Sequence, residues 1–518
     1  MNGAQALIET LVDCGVELCL ANPGTSEMHL VQALDRVPRM RSVLALFEGV
    51  CTGAADGYGR MTGKPAATLL HLGPGLANGI ANLHNARKAG TPIINIIGNH
   101  PQFHIGYDAP LTSDIDTLAR NYSCWIKSCS TEQTLAQDGA EAYTASLRAT
   151  PGSQGQIASL IMGADAAWGE SPGPAQPNSL PQRSLVDDQH IDLIAQVLRR
   201  NEKTILILEH QAVSPQALTL AARISASIDS CRIMTGTFPA RVDGGAGSPL
   251  VERMPYFPEQ ILDSFQGVQH LILVGAQTPA SFFAYQTTPS RLVPSGCQVH
   301  TLARIEQDAV KALEALAQTL GASNTDYPVF EHGHLSPPSG ALNTRTLIQA
   351  IASCLPENAI VATDSGPGNA AHTLCQSAAA HTWLSLTGGS IGQGGPVATG
   401  AALACPDRPV LALLGDGGAA YTLQCLWTQA REQLNVTTVI FANRSYNILN
   451  VEYARLGVTE TGAIAASLFN IGNPDLNWAQ IAQGFGVPAA IAETAEELCA
   501  LLEKAVREPG PFLIEARY

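Results

Sequence analysis

Asp416 and Asn443 are the residues whose types and spacing most directly suggest chemistry. The stretch PVLALLGDGGAAYTLQCLWTQAREQLNVTTVIFANRS reads as a strand, a tight glycine turn, a helix and a second strand. A right-handed crossover of this kind brings the C-terminal ends of both strands to one edge of a parallel sheet, where doubly wound folds bind ligands. Asp416 follows the first strand and Asn443 the second, so they are expected as neighbours although 27 positions separate them. One carboxylate, one amide oxygen and a backbone carbonyl from about Ser445 suit a hard divalent cation that keeps water and phosphate oxygens as its other ligands. Gly415, Gly417 and Gly418 let backbone N–H groups and a helix start approach a diphosphate. A GDG triplet alone is often an ordinary turn; the asparagine at the matching edge of the second strand favours the metal.

Glu48 is the second candidate. In LALFEGVCTGAADGYGRMTG an apolar run ends in this one carboxylate, and Gly49, Gly53, Ala54, Ala55 and Gly57 follow, permitting close helix packing at a domain or subunit interface. A carboxylate held away from water has its pKa raised and can hold or transfer a proton. The plain alternative is a helix-start acid, stabilising by about 0.3–1 kcal/mol. His71 closes the strand in LLHLGPGLANG, and Thr25 in ANPGTSE offers a hydroxyl donor. An unperturbed imidazole titrates at about 6.5, which suits proton transfer at neutral pH. His100 and His104 in GNHPQFH lie beyond the next strand and could face the same pocket.

The elements that must position these groups fall into three blocks. Residues 3 to 98 alternate apolar strands with helical segments, the pattern of a parallel sheet covered on both faces. The proline-rich segment WGESPGPAQPNSLPQRS reads as a linker, as does DYPVFEHGHLSPPSG. An α/β protein with three doubly wound parallel-sheet domains follows, at residues 1–165, 185–325 and 340–518. At 518 residues the chain exceeds one core, and 46% apolar against 14% charged residues marks it as well packed. A net charge of −15 argues against nucleic acid and anionic membranes as partners. The N-terminus lacks the basic and apolar regions of a signal peptide, and the 12 cysteines show neither CxxC nor zinc spacing, so a cytoplasmic protein is expected.

With Gly415-Asp416-Gly417 and Asn443 in place, the sequence resembles the thiamine diphosphate (ThDP) dependent enzymes of the pyruvate oxidase, acetolactate synthase and benzoylformate decarboxylase group. The resemblance spans essentially the whole chain. It implies pyrimidine-binding, central and diphosphate-binding domains, with Asp416, Asn443 and the Ser445 carbonyl holding Mg²⁺, which holds the diphosphate. It implies that Glu48 hydrogen-bonds a ring nitrogen of the cofactor's aminopyrimidine. It also places Ile391, in LTGGSIGQGGPVATG, as the wedge that bends the cofactor, with Gly388 and Gly389 leaving room for the pyrimidine.

His71, Thr25 and the IGYDAPLTSDIDTLA segment resemble the benzoylformate decarboxylase branch more than acetolactate synthases. A second catalytic histidine that this branch carries in its central domain is missing; VGAQTPASFFAYQ offers Phe282 and Phe283 there. The first central strand ends in LEHQAVS, without a glycine-rich pyrophosphate turn, so FAD is not expected, and neither is NAD. The expected reaction is addition to a 2-oxo acid carbonyl, loss of CO₂, then protonation to an aldehyde or ligation to a second carbonyl. Acetolactate synthesis, a 2-hydroxyacyl lyase activity and a cofactor-free paralogue are the alternatives. The resemblance implies an active site between two subunits, hence a homodimer at minimum and a homotetramer as the expected assembly.

Overall fold

The computed structural model describes residues 1–149, 155–333, 335–458 and 460–518. Two compact units are present, one formed by Met1–Leu147 with the segment ending at Leu180 and by Gly333–Tyr518, the other by Pro181–His332. Their boundaries fall in the two proline-containing segments, which have almost no regular structure.

The first unit contains two parallel sheets. The N-terminal sheet comprises β1 (Leu18–Asn22), β2 (Arg41–Leu44), β3 (Ala66–Leu70), β4 (Pro92–Asn99), β5 (Trp125–Cys129) and β6 (Gln156–Gly163), in the order β2-β1-β3-β4-β6-β5. Runs such as Ala66–Leu70 and Ile93–Ile97 are buried on both faces and mostly apolar, as strands between two helical layers must be, and their two polar side chains pair, Thr68 donating to Asn95 at 2.8 Å. The second unit has β7 (Thr204–Leu208), β8 (Cys231–Thr235), β9 (Glu252–Arg253), β10 (His270–Val274) and β11 (Gln298–Ala303), also all parallel. The C-terminal sheet of the first unit comprises β12 (Ala359–Thr363), β13 (His381–Leu384), β14 (Val410–Gly415), β15 (Val436–Ala442), β16 (Ala489–Ala492) and β17 (Phe512–Arg517). Here β14 lies between β12 and β15, with Gly415 opposite Phe441, which sends Asp416 and Asn443 off the same sheet edge.

Two helices join the sheets of the first unit. Helix α1 (Glu48–Thr62) ends at Gly63, whose φ of 70° supplies the left-handed cap. It packs on α2 (Gly394–Ala404) at backbone distance: a Cβ at Gly57 would lie 2.1 Å from the Val397 carbonyl oxygen, and one at Gly400 would lie 1.9 Å from that of Ala54. The small-residue run after Glu48 therefore serves a contact within this unit. Asp56 and Arg60 reinforce it as a buried bidentate pair at 2.8 and 2.6 Å. Arg60 also donates to the Ser385 carbonyl at 2.7 Å and the Thr387 hydroxyl at 3.1 Å, and Thr91 donates to Asp56 at 2.6 Å, so neither charge is left unpaired in the core.

Candidate active site

Asp416 is the first residue past β14 and is buried; one carboxylate oxygen accepts from Gly417 N–H at 2.8 Å and the other from Arg444 N–H at 2.6 Å. Burial raises its pKa, while the Arg444 and Gly417 amides oppose the rise. The Arg444 guanidinium is paired instead with Asp475 at 2.7 Å. Asn443 orients its side-chain oxygen by accepting from Ser445 N–H at 3.0 Å, and Ser445 bridges to Asn470. The sequence-identified trio is thus assembled on one edge. A buried carboxylate that meets the backbone of the Asn443–Ser445 segment fits Mg²⁺, whose ligands are hard oxygens. The glycines have separate reasons: a Cβ at Gly417 would meet the Tyr446 ring at 2.2 Å, and one at Gly418 would meet Asp364 at 3.2 Å.

Ile391 lies in the segment between β13 and α2 and is partly exposed. Asn85, on α3 (Leu72–Ala89), donates to the Ser390 carbonyl at 2.8 Å and accepts from its N–H at 3.2 Å. Gly389 has φ of 77°, which requires glycine at this turn. At Gly388 the Cβ direction is occupied by Asn85 and His84: a Cβ there would lie 2.5 Å from Asn85 Oδ1, and His84 Nε2 lies 3.0 Å from the Gly388 carbonyl oxygen.

Glu48 opens α1, is 6% exposed and accepts from the Asn78 amide at 3.0 Å on one oxygen. The other oxygen stands 3.0 Å from where a Cβ would project at Gly75, a position also bordered by His71. Glu48 and His71 therefore flank the same turn. Burial, and then the Glu48 charge, push the neighbouring Cys51 thiol well above its usual range, so it stays protonated.

His71 caps α3, and its Nδ1 lies 2.8 Å from Glu27 Oε2 and 3.3 Å from the Ser26 hydroxyl. Glu27 was not singled out by sequence. It is completely buried, accepts from Gly24 N–H and the Ser26 hydroxyl at 2.8 Å each, and takes the space left by Gly98, where a Cβ would lie 1.7 Å from its Oε1. Ser26 rather than Thr25 reaches the imidazole; Thr25 lines the adjacent cavity of about 330 Å³ with Ser26, His71, His100, His104 and Trp168. His100 has its pKa lowered by burial and by the nearby His104 and His71, and its Nε2 is buried without a partner among the described residues.

In the second unit Phe282 and Phe283 are exposed and join Phe238 and Tyr256 in an aromatic cluster. Glu209 follows β7, where a nucleotide-binding domain would have its phosphate turn. Its carboxyl group lies against Gly236, where a Cβ would stand 2.1 Å from Oε1, and burial raises its pKa to about 7.

Residues 1–119 match the N-terminal, and residues 366–516 the C-terminal, TPP binding domain of the thiamine pyrophosphate enzymes. The chain belongs to this family and is a ThDP-dependent enzyme of the acetolactate synthase and benzoylformate decarboxylase group. Among its relatives is IlvX of Mycobacterium tuberculosis, provisionally described as an acetolactate synthase large subunit, 48% identical over 99% of this chain and 98% of that one. Benzoylformate decarboxylase of Pseudomonas aeruginosa is 26% identical over 98% of this chain and 97% of its own. The fold matches that of the ThDP-dependent 4-hydroxybenzoylformate decarboxylase of Rhodococcus jostii RHA1 with a TM-score of 0.86, at 22% identity, over 100% of this chain and 99% of that chain.

Proposed function

We propose that this enzyme uses ThDP and Mg²⁺ to decarboxylate a 2-oxo acid, releasing an aldehyde or ligating the remaining fragment to a second carbonyl compound. The observation that carries the reading is the Glu27–His71 pair on the wall of the cavity that also holds Thr25, beside the buried Glu48.

Asp416, Asn443 and the Ser445 carbonyl would hold Mg²⁺, and Gly415, Gly417 and Gly418 would line the diphosphate. Ile391 and Gly389 would shape the bend, and Glu48 would face the aminopyrimidine. When bound, the cofactor supplies a nucleophilic carbon and an electron sink for the pair released with CO₂. The rest is done by the chain. Glu48, kept from water and oriented by Asn78, holds a proton at one carboxylate oxygen or releases it. Glu27 fixes the tautomer of His71 through Nδ1, leaving Nε2 to move a proton at the substrate. Thr25 offers a hydroxyl to the substrate carboxylate. Leu72, Phe103, Leu111 and Trp168 supply apolar surface to the cavity.

FAD is not part of this proposal, because the Glu209 carboxyl group occupies the space beside Gly236 at the end of the central sheet, where a pyrophosphate turn would be needed. A homodimer at least, and a homotetramer as the full assembly, is supported by apolar side chains exposed beside Asn443 on two helices, Asn447–Arg455 and Ala463–Phe469: Ile448, Leu449, Ile464 and Leu468. A cytoplasmic location accords with cysteines that are scattered along the chain and mostly buried. No helix among the described residues is long and apolar enough to cross a membrane.

The second reading, acetolactate synthesis, draws on the 48% identity to IlvX. The test is CO₂ release from a panel of 2-oxo acids with product identification. An aldehyde or a mixed 2-hydroxy ketone is expected; acetolactate from pyruvate as the sole product would contradict the proposal.

A further inference from the structure

Asp364, in none of the motifs above, follows β12 in ATDSGPGNAA and is buried. Its Oδ2 accepts from Gly392 N–H at 3.0 Å and from Gly394 N–H at 3.1 Å. Gly392 has φ of 92°, and its amide, that of Gln393 and that of Gly394 form a concave set of donors closed around one carboxylate. The Gly392 carbonyl is held in turn by the Thr422 hydroxyl at 2.7 Å. Thus the residue immediately after Ile391 has both its peptide groups fixed, one by the end of β12 and one by the chain that leaves the GDGG turn. Gly394 and Gly418 both approach the carboxylate closely: a Cβ on either would come within 3.2 Å of its atoms. The other oxygen, Oδ1, has no hydrogen-bond partner among the described residues, so the carboxylate holds the Gly392 and Gly394 peptide groups through Oδ2.

We propose that Asp364 and Thr422 are positioning residues that clasp Gly392, setting Ile391 at a fixed height over the diphosphate loop so that the cofactor is bound bent. The inference rests on the reading of Ile391 and the GDGG turn given under Proposed function. Ser390 is already tied on the other flank by Asn85, so releasing Gly392 leaves Ile391 anchored at one end only.

The test compares Asp364→Ala, Asp364→Asn, Thr422→Val and Thr422→Ser with the wild type by two measurements. One is amide hydrogen exchange of peptides covering residues 386–396 in the full chain without cofactor. The other is calorimetric titration with ThDP in excess Mg²⁺. Losing buried acceptor bonds in Asp364→Ala is expected to weaken ThDP binding about tenfold and to speed exchange in 386–396. The amide oxygen of Asp364→Asn can still accept both N–H groups, so it restores both readouts to within about threefold of wild type. Thr422→Val should follow Asp364→Ala in sign, and Thr422→Ser should restore; this pair carries the test if Asp364→Ala does not fold. Unchanged exchange and affinity in folded Asp364→Ala and Thr422→Val would overturn the clasp, as would an Asp364→Asn enzyme no better than the alanine variant. Absence of saturable ThDP binding by the wild type would overturn the functional reading instead, and the exchange data would still judge the clasp by itself.

Discussion

Nδ1 of His71 lies 2.8 Å from Oε2 of Glu27, a carboxylate with no exposed surface that is held by the Gly24 amide and the Ser26 hydroxyl. The acid is held by two donors besides the imidazole, so it determines which ring nitrogen carries the proton.

Replacing Glu27 by Gln should therefore leave substrate affinity nearly unchanged and lower turnover by about 10²-fold, within the range for a displaced general acid or base. The measurement is steady-state CO₂ release from the 2-oxo acid identified by the panel. An enzyme with full turnover would show that the pair is only structural.

Glu48→Gln is expected to keep the fold and to bind ThDP within about threefold of wild type while losing about 10²-fold in turnover, because the amide preserves packing but cannot exchange a proton. Calorimetry and the CO₂ assay on the same preparation separate the two effects. Loss of binding with loss of turnover would assign Glu48 to structure instead.

Burial pushes the Asp364 carboxyl pKa from 3.8 up to about 6, against the opposing Gly394 and Gly392 amides. The folded state then binds a proton more tightly than the unfolded chain, so this group's contribution to stability is greatest below about pH 4 and is lost as pH rises toward about 6, a swing of roughly 3 kcal/mol. Urea unfolding of the wild type and of Asp364→Asn between pH 4 and 7 should show the wild type losing stability relative to the variant as pH rises. A difference independent of pH would contradict the assignment.

Asp56 and Arg60 are paired in the core, with side-chain exposures of 0% and 1%. Removing one partner strands a buried charge, so Asp56→Ala should destabilise the protein by about 3–5 kcal/mol, and Asp56→Ala with Arg60→Met by less. Denaturant melts of the single and double variants check the order.

Much of this architecture can be read from residue pattern. The strands that lead to Asp416 and Asn443 are mostly apolar and buried, and a parallel crossover allows them few arrangements, so a pair 27 positions apart is legible as a neighbouring pair. Glu48 is legible for a related reason, as the one charge between an apolar strand and a small-residue helix. Glu27 is not, because in a 3-10 turn such as Thr25–Glu27 nothing local says which of three consecutive polar side chains turns inward. The space that selects it is left by Gly98, at the end of a different strand. Asp364 is hidden likewise, its donors lying 28 and 30 residues further on. Gly388 is hidden in the same way, since nothing local says that Asn85 from the other sheet's helix packs against it. Packing between layers carries no local period, and these residues are legible only once the layers are in contact.

The central claim is that Asp416 and Asn443 anchor Mg²⁺ and through it ThDP. Calorimetric titration of ThDP into the full chain in excess Mg²⁺ tests it most directly, with a chelated control and the Asp416→Ala variant beside the wild type. Saturable binding by the wild type, lost by at least about 10²-fold on chelation and in Asp416→Ala, is the predicted result, since removing a carboxylate from a divalent site leaves too few hard ligands. Wild-type binding that neither Mg²⁺ removal nor Asp416→Ala weakens would contradict the account.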